Sequence, residues 1–376
     1  CPSYYTVVLE VFTIKSLEEV EDLVLGATVL GTGGGSPIEG FNMLRELIEK
    51  GLEIRVADID DLPEDSTIVS PYYVGTIAPT ARIRKPMRIA NAIGEAFKIM
   101  SRILGRRISA AVATELGGGN TAVAIRIATE LGIPIVDGDL LGRAAPELHQ
   151  NTVHIFDLPM HPSVLVTPTG NVVVVERYSD IDDYESIARY LSILSGRFVA
   201  VVDTPLTMEN ARKAVIKKTI TLCLKIGRAV REARTYGRDP VTAIVDSVGG
   251  WKIFEGTVVE YSWRDEGGFL IGEARVRGSG RWEGRMFRTW IKNEHLMAWL
   301  DGEPIVMAPD LIIFTRDDGE PITNTVLRVG DRVHVIAAKA PDVWRTSKGL
   351  ELFGPKHFGF DYSYVPVEEL VSRFGL

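Results

Sequence analysis

Two unlike rhythms divide this chain of 376 residues. Up to about residue 170, helical and strand-like segments alternate. From Ile253 onward, short strand-like runs follow one another with only turns between them. In the first part, Ser16 to Gly31 carries apolar residues at helical spacing (Val20, Leu23, Val24, Ala27), and Phe41 to Lys50 is a second amphipathic stretch. Strand-like runs at Glu53–Ala57, Thr67–Pro71, Ser109–Glu115 and Leu131–Val136 are interleaved with helical patterns at Pro86–Leu104 and Asn120–Leu131. This alternation predicts a largely parallel sheet covered by helices on both faces, an α/β class. A hairpin is expected from Ser163 to Tyr178. Helices are expected at Asp182–Leu194 and Met208–Tyr236, with a strand at Phe198–Val202 between them. The runs Ile253–Tyr261, Gly268–Val276, Arg285–Lys292, Glu303–Met307 and Leu311–Thr315 predict a β-barrel or sandwich.

Composition narrows the function classes. Hydrophobic residues make up 45% and charged ones 24%, as in an ordinary globular protein. A net charge of −8 without long like-charge blocks offers no basic face for nucleic acid. No apolar run reaches the ~18–20 residues of a membrane span, and the first dozen residues lack the basic region and cleavage site of a signal peptide. Cys1 and Cys223 are too few and too far apart for a disulfide framework or a thiolate cluster, so a cytoplasmic location is expected.

The densest chemistry lies in Asp137-Gly-Asp-Leu-Leu-Gly-Arg-Ala-Ala-Pro-Glu147, directly after a buried strand-like run. Open α/β sheets place ligands at the carboxyl ends of their strands. Asp137, Asp139 and Glu147 are therefore candidate catalytic carboxylates, and Arg143 a candidate clamp for a substrate carboxylate. The two aspartates are expected to divide their roles, one facing the site and the other making a structural contact. Glu115-Leu-Gly-Gly-Gly-Asn120 stands at an equivalent point of the pattern. It adds Glu115 as a catalytic candidate and Gly118, Gly119 and Asn120 as binding candidates. Asn120 would serve equally as a helix cap. Gly33, Gly34 and Gly35 in Gly31-Thr-Gly-Gly-Gly-Ser36 suit an anion-binding nest or a plain turn, but the segment lacks the phosphate-loop and dinucleotide spacings. His149, His154 and His161 follow within a few residues. Their nearness to carboxylates allows a divalent metal, zinc first, with His149 and Asp139 as ligands, although no ligand-spacing signature is present. Lys292-Asn-Glu-His295 brings Asn293, Glu294 and His295 to a strand end, with Glu294 the preferred catalytic group. Gly354–Asp361 is a second polar segment expected to close the crevice from the β-rich side.

These segments, taken in order with Ala308-Pro-Asp-Leu-Ile312, resemble the S-methyl-thiohydantoin desulfurase family over roughly residues 16–366. Differences from bacterial members fall at Ala145, where an aromatic is usual, at Lys292 and His295, and in Tyr72–Pro79. The resemblance implies a three-layer αβα N-terminal domain and a C-terminal part containing a β-barrel. The expected units are 1–170, 171–250 as a mixed connecting region, and 251–376. It also implies hydrolysis of a carbon–sulfur bond on a small five-membered cyclic amide or amidine. Water would be activated by carboxylates or a metal. The expected partners are a small-molecule substrate and either a second copy of the chain or a hydantoinase/oxoprolinase-like protein. The alternative is a non-catalytic or regulatory subunit that binds a small anion.

Overall fold

The computed structural model describes residues 11–78, 81–83 and 85–376. A nine-stranded sheet contains β1 (Val11–Ile14), β2 (Ile54–Ala57), β3 (Thr67–Gly75), β4 (Ala110–Ala113), β5 (Ile135–Asp139), β6 (Ser163–Val166), β7 (Val172–Val175), β8 (Phe198–Thr207) and β9 (Ile216–Lys217), in the order β1-β2-β5-β4-β3-β8-β6-β7 with β9 beside β5. The central run β2-β5-β4-β3 is parallel and the flanking pairs are antiparallel. Every residue of β4 and β5 is buried, as expected of parallel strands covered on both faces.

Helices α1 (Leu17–Leu30), α2 (Pro37–Glu49), α3 (Ala92–Leu104), α4 (Asn120–Glu130), α5 (Thr152–Ile155), α6 (Ile181–Ser195), α7 (Met208–Ala214), α8 (Thr219–Thr235) and α9 (Pro240–Val248) connect these strands and lead to the second sheet. One core lies between the sheet and α1, α3, α4 and α8, and another lies beneath α6 and α7. The result is the expected three-layer arrangement. The first helix starts at a capping box, with Ser16 accepting from the Glu19 amide and the Glu19 carboxylate accepting from Ser16 N.

The second sheet is wholly antiparallel. It comprises β10 (Trp251–Glu266), β11 (Phe269–Gly278), β12 (Met286–Lys292), β13 (Glu294–Leu300), β14 (Glu303–Met307), β15 (Leu311–Thr315) and β16 (Arg332–Ala338), in the order β14-β13-β12-β11-β10-β16-β15. It curls into a half-barrel rather than a closed one, around a core that includes Phe254, Phe287 and Phe314. Helices α10 (Ser347–Phe353) and α11 (Val367–Arg373) complete the chain.

Two local departures from the sequence pattern matter for the site. The first sheet continues past residue 170, because β8 pairs with β3 along its length. The stretch Met208–Tyr236 is two helices, not one. Val215–Lys217 is extended there, Ile216 pairs with Asp139, and Lys218 takes a left-handed φ of 65°. The β-branched pair Val215-Ile216 suits a strand, but the pairing partner is some eighty residues away in the chain.

Beneath α6, Asp203 is fully enclosed. It accepts from Tyr72 Oη at 2.6 Å, Tyr184 Oη at 2.8 Å and Thr204 Oγ1 at 2.9 Å. Burial pushes its carboxyl up to about 7 against these hydrogen bonds, and Asp139 is likewise pushed up to about 7 by burial. An acid whose folded pKa exceeds its unfolded value stabilises the fold when protonated. That contribution is whole below the unfolded value near ~4 and is lost as pH rises to about 7. Asp203→Asn, which keeps a neutral amide there, is expected to flatten the fall of Tm across that window. An unchanged Tm–pH curve in the variant would show that Asp203 is already ionised in the fold.

Candidate active site

The carboxyl ends of β3, β4 and β5 open into a cavity of about 410 Å³. Its walls come from the loop before α2 (Gly35, Ser36), the loop before α4 (Glu115 to Asn120), the segment Leu141 to Asn151 after β5, the end of β3, and Asn293 and Glu294 of the half-barrel. The three glycine-bearing or acidic segments singled out in the sequence thus meet at one place, because each leaves the same end of the sheet.

Two carboxyl groups face this space from different halves of the molecule. Glu115 accepts from Asn120 Nδ2 at 2.7 Å and from the Ala145 amide at 3.1 Å. Its surroundings raise its pKa by burial, opposed by these hydrogen bonds and by Arg189 and Arg143. Asn120 is itself held, donating to Tyr73 O at 3.2 Å and accepting from Tyr73 N at 2.9 Å. Glu294 is 4% exposed, and its Oε2 has no hydrogen-bond partner. Burial, then the charge of Glu115, drives Glu294 well above the ordinary carboxylate range, with Arg143 opposing. An isolated buried carboxylate is costly, so Glu294 stands as a neutral acid beside an oriented Glu115. Its reach depends on Gly34, where a Cβ would collide with Glu294 Oε1. Asn293, at a left-handed φ of 56°, makes the tight turn between β12 and β13, its Oδ1 accepting from Leu270 N at 2.9 Å.

Other candidates have structural partners elsewhere. Arg143 is fully buried, and each of its five N–H groups is taken. They donate to Ala144 O, Pro309 O, Asp310 O, Thr32 Oγ1 and His295 O at 2.8–3.1 Å. It therefore ties the two halves together instead of presenting a clamp. Burial lowers its pKa to about 10, opposed by the nearby carboxyl groups of Glu294, Asp310 and Glu115.

Asp137 and Asp139, two apart on one strand, share a face, and it is the α8 face instead of the cavity. Asp137 accepts from Thr221 N at 2.9 Å and Thr221 Oγ1 at 2.6 Å, capping the start of α8. Asp139 accepts from the turn amides of Leu141 and Gly142 at 2.9 and 2.6 Å. The expected division of roles between them is thus replaced by two structural contacts. Asp137→Ala should cost about 0.5–2 kcal/mol of stability, the range for a lost helix cap, with kcat unchanged. A kcat loss exceeding the stability effect would place Asp137 in the chemistry after all.

His295 sits in the half-barrel interior, stacked on Phe314 at 4.3 Å and neutral because burial lowers it to about 3. Gly33 packs against His295 and Asn324, and Gly118 against Pro37 and Thr28, so both serve close packing. His149 Nε2 pairs with Asp182 Oδ1 at 2.8 Å, far in role from the turn-bound Asp139. The two do not converge as metal ligands, and among the described residues no group of three or more His, Cys, Asp or Glu side chains is arranged to hold an ion.

Glu147 does line the cavity but is neutralised there. His357 Nε2 lies 2.5 Å from its Oε2, Gln150 Nε2 donates to the same oxygen at 3.0 Å, and Lys292 Nζ pairs with Oε1. Burial alone would raise its pKa, but the hydrogen bond from His357 and the charge of Lys292 hold it well below the carboxylate range. It cannot serve as a base at neutral pH. Sequence reading passed over Tyr73, Gln150 and Asn151, which also line the cavity. The only signal for Gln150 and Asn151 was a polar run continuing past Glu147.

Models of the S-Me-THD-like N-terminal and C-terminal domains match residues 18–177 and 179–367. A crystal structure of a protein from Chromobacterium violaceum superposes with a TM-score of 0.75 at 22% identity, covering 95% of this chain and 100% of that one, and so shares its fold. No curated protein matches the chain.

Proposed function

Because the chain belongs to the S-Me-THD-like family, we propose that it hydrolyses a small five-membered cyclic amidine of the S-methyl-thiohydantoin kind. Membership points to a desulfurase or hydrolase type of role. The observation that carries the specific reading is the pair Glu115 and Glu294, brought from two halves of the molecule into one small cavity, both raised by burial but Glu294 much the more strongly. Paired carboxyl groups in unlike environments divide into base and acid.

In this reading the ring lies among Val74, Ile77, Val123 and Leu141. Glu115, oriented by Asn120 and the Ala145 amide, takes a proton from water as its oxygen attacks the sp² carbon bearing the methylthio group. Glu294 gives its proton to the departing sulfur as the carbon–sulfur bond breaks. The products are the ring carbonyl compound and methanethiol. A proton then returns from Glu115 to Glu294 to reset the pair.

The direct test is release of methanethiol from S-methyl-thiohydantoin by the isolated protein, followed with a thiol reagent. Turnover that disappears in both Glu115→Gln and Glu294→Gln supports the reading. Folded wild-type protein that releases no thiol from this ring would overturn it.

A further inference from the structure

Helices α2 and α4 both start at the cavity, and neither has a side-chain cap on its first amides. Ser36, the residue before α2, makes no side-chain cap bond, and Gly119, before α4, has no side chain to offer. Among the described residues, the backbone N–H groups of Gly35, Ser36 and Gly119, which line the cavity, make no hydrogen bond to the protein. The two loops touch through these same amides. A Cβ on Gly35, whose φ is +84°, would stand 3.2 Å from Gly118 N and 3.5 Å from Gly119 N, and one on Gly119 would stand 3.3 Å from Ser36 N. Converging amides at two helix starts concentrate positive potential.

A second, independent feature points into the same space. Glu294 is nearly fully buried, its Oε2 is unpartnered, and its other oxygen rests over Gly34, one residue before these amides. A protonated carboxyl there is a donor with nothing in the protein to receive it.

We propose that the starts of α2 and α4, beside Glu294, form a subsite for a small planar anion; in the hydrolytic reaction these amides receive the ring carbonyl oxygen, onto which the negative charge formed at the attacked C=N nitrogen is delocalised, while the Glu294 proton goes to the departing sulfur. The assignment of that oxygen rests on the hydrolase reading; the anion subsite itself does not. Charge conservation explains how it coexists with Glu115. The charged groups around the space are Glu115 on the loop before α4 and Glu294 on β13. Arg143 and Arg189 stand behind the walls with their N–H groups committed, and Glu147 is paired with Lys292 and His357 on the far wall. At the mouth, Glu39 is paired with Arg197. Only Glu115 is left as an anion without an ion-pair partner, offset at a distance by Arg189 and Arg143. As it takes a proton from water, one negative charge passes from its carboxylate to the ring, where it is shared between the attacked nitrogen and the carbonyl oxygen facing the amides, and the cavity's total is unchanged. A bound anion therefore requires Glu115 to be protonated.

Nitrate is a suitable probe, being planar and unprotonated throughout the working pH range. Titration calorimetry on the full chain is expected to show one nitrate per chain, with affinity falling about tenfold per pH unit above the Glu115 pKa, the slope for uptake of a single proton. Glu115→Gln, which removes the competing charge, should bind nitrate at least tenfold more tightly at pH 8 and lose the pH dependence. Gly119→Ala sets a methyl against Ser36 N at a residue of negative φ. It should lose nitrate binding at least tenfold while circular dichroism and Tm stay near wild type. No nitrate binding by wild type at low pH, or binding that ignores both substitutions, would overturn the subsite even if the ring substrate is turned over. Nitrate binding with the expected variant pattern but no thiol release would uphold the subsite and reject the hydrolase reading, leaving a small-anion-binding protein.

Discussion

Glu115→Gln is expected to lower kcat by about a hundred- to ten-thousand-fold, the range lost with a general base, while KM changes little. The amide keeps an oxygen for Asn120 but cannot accept a proton from water. The pH profile separates this role from a structural one. Glu115 must be ionised to act, so activity in the wild type falls as pH drops through its raised pKa. Glu294 must be protonated, so activity falls again as pH rises through its own, much more strongly raised value. A bell results. Any residual activity in Glu115→Gln should lack the acidic limb, and in Glu294→Gln the alkaline limb. If both variants keep the wild-type bell at reduced height, the two carboxyls only shape the cavity, and the base lies elsewhere.

The second large effect is on stability. Arg143→Met should destabilise the protein by about 3–5 kcal/mol, since four buried carbonyls and a hydroxyl lose their donor at about 1 kcal/mol or more each. Met retains much of the length but leaves the carbonyls of Ala144, Pro309, Asp310 and His295 without their donor. It also removes the cation that partly offsets Glu294. Arg143→Lys should recover little, since an ammonium has three donors and no planar fork to meet five acceptors spread over two domains. Because the acceptors lie on both sides of the interface, unfolding in urea should also become less cooperative, with the half-barrel separating first. A loss below about 1 kcal/mol would mean that these carbonyls find other partners and that Arg143 is free to bind ligand as its sequence position suggested.

The periodic parts of the fold were readable because they depend on neighbours a few residues away. Helix spacing in Leu17–Leu30 and the apolar runs at β3, β4 and β5 are local patterns, and they lead to a parallel sheet and so to a crevice at its carboxyl edge. The glycine loops and Glu115 fall there by the same logic, and Glu294 follows from the turn at Asn293. The extent of β3 and the break between α7 and α8 were not readable. Each is decided by a distant partner, β8 in one case and Asp137 with Asp139 in the other.

Charge is where local reading ended. Asp137, Asp139, Arg143 and Glu147 look equivalent in the sequence, four polar groups crowded after one strand. Their fates differ because electrostatic free energy depends on what stands within a few ångströms, and those neighbours lie elsewhere in the chain. Thr221 takes Asp137, carbonyls of the half-barrel take Arg143, and Lys292 with His357 neutralise Glu147. Local pattern alone put the glycine-bearing and acidic segments at the carboxyl edge of the sheet, where they line one cavity. Only the folded chain decided which carboxyl groups were left there without a cation of their own, and those are Glu115 and Glu294.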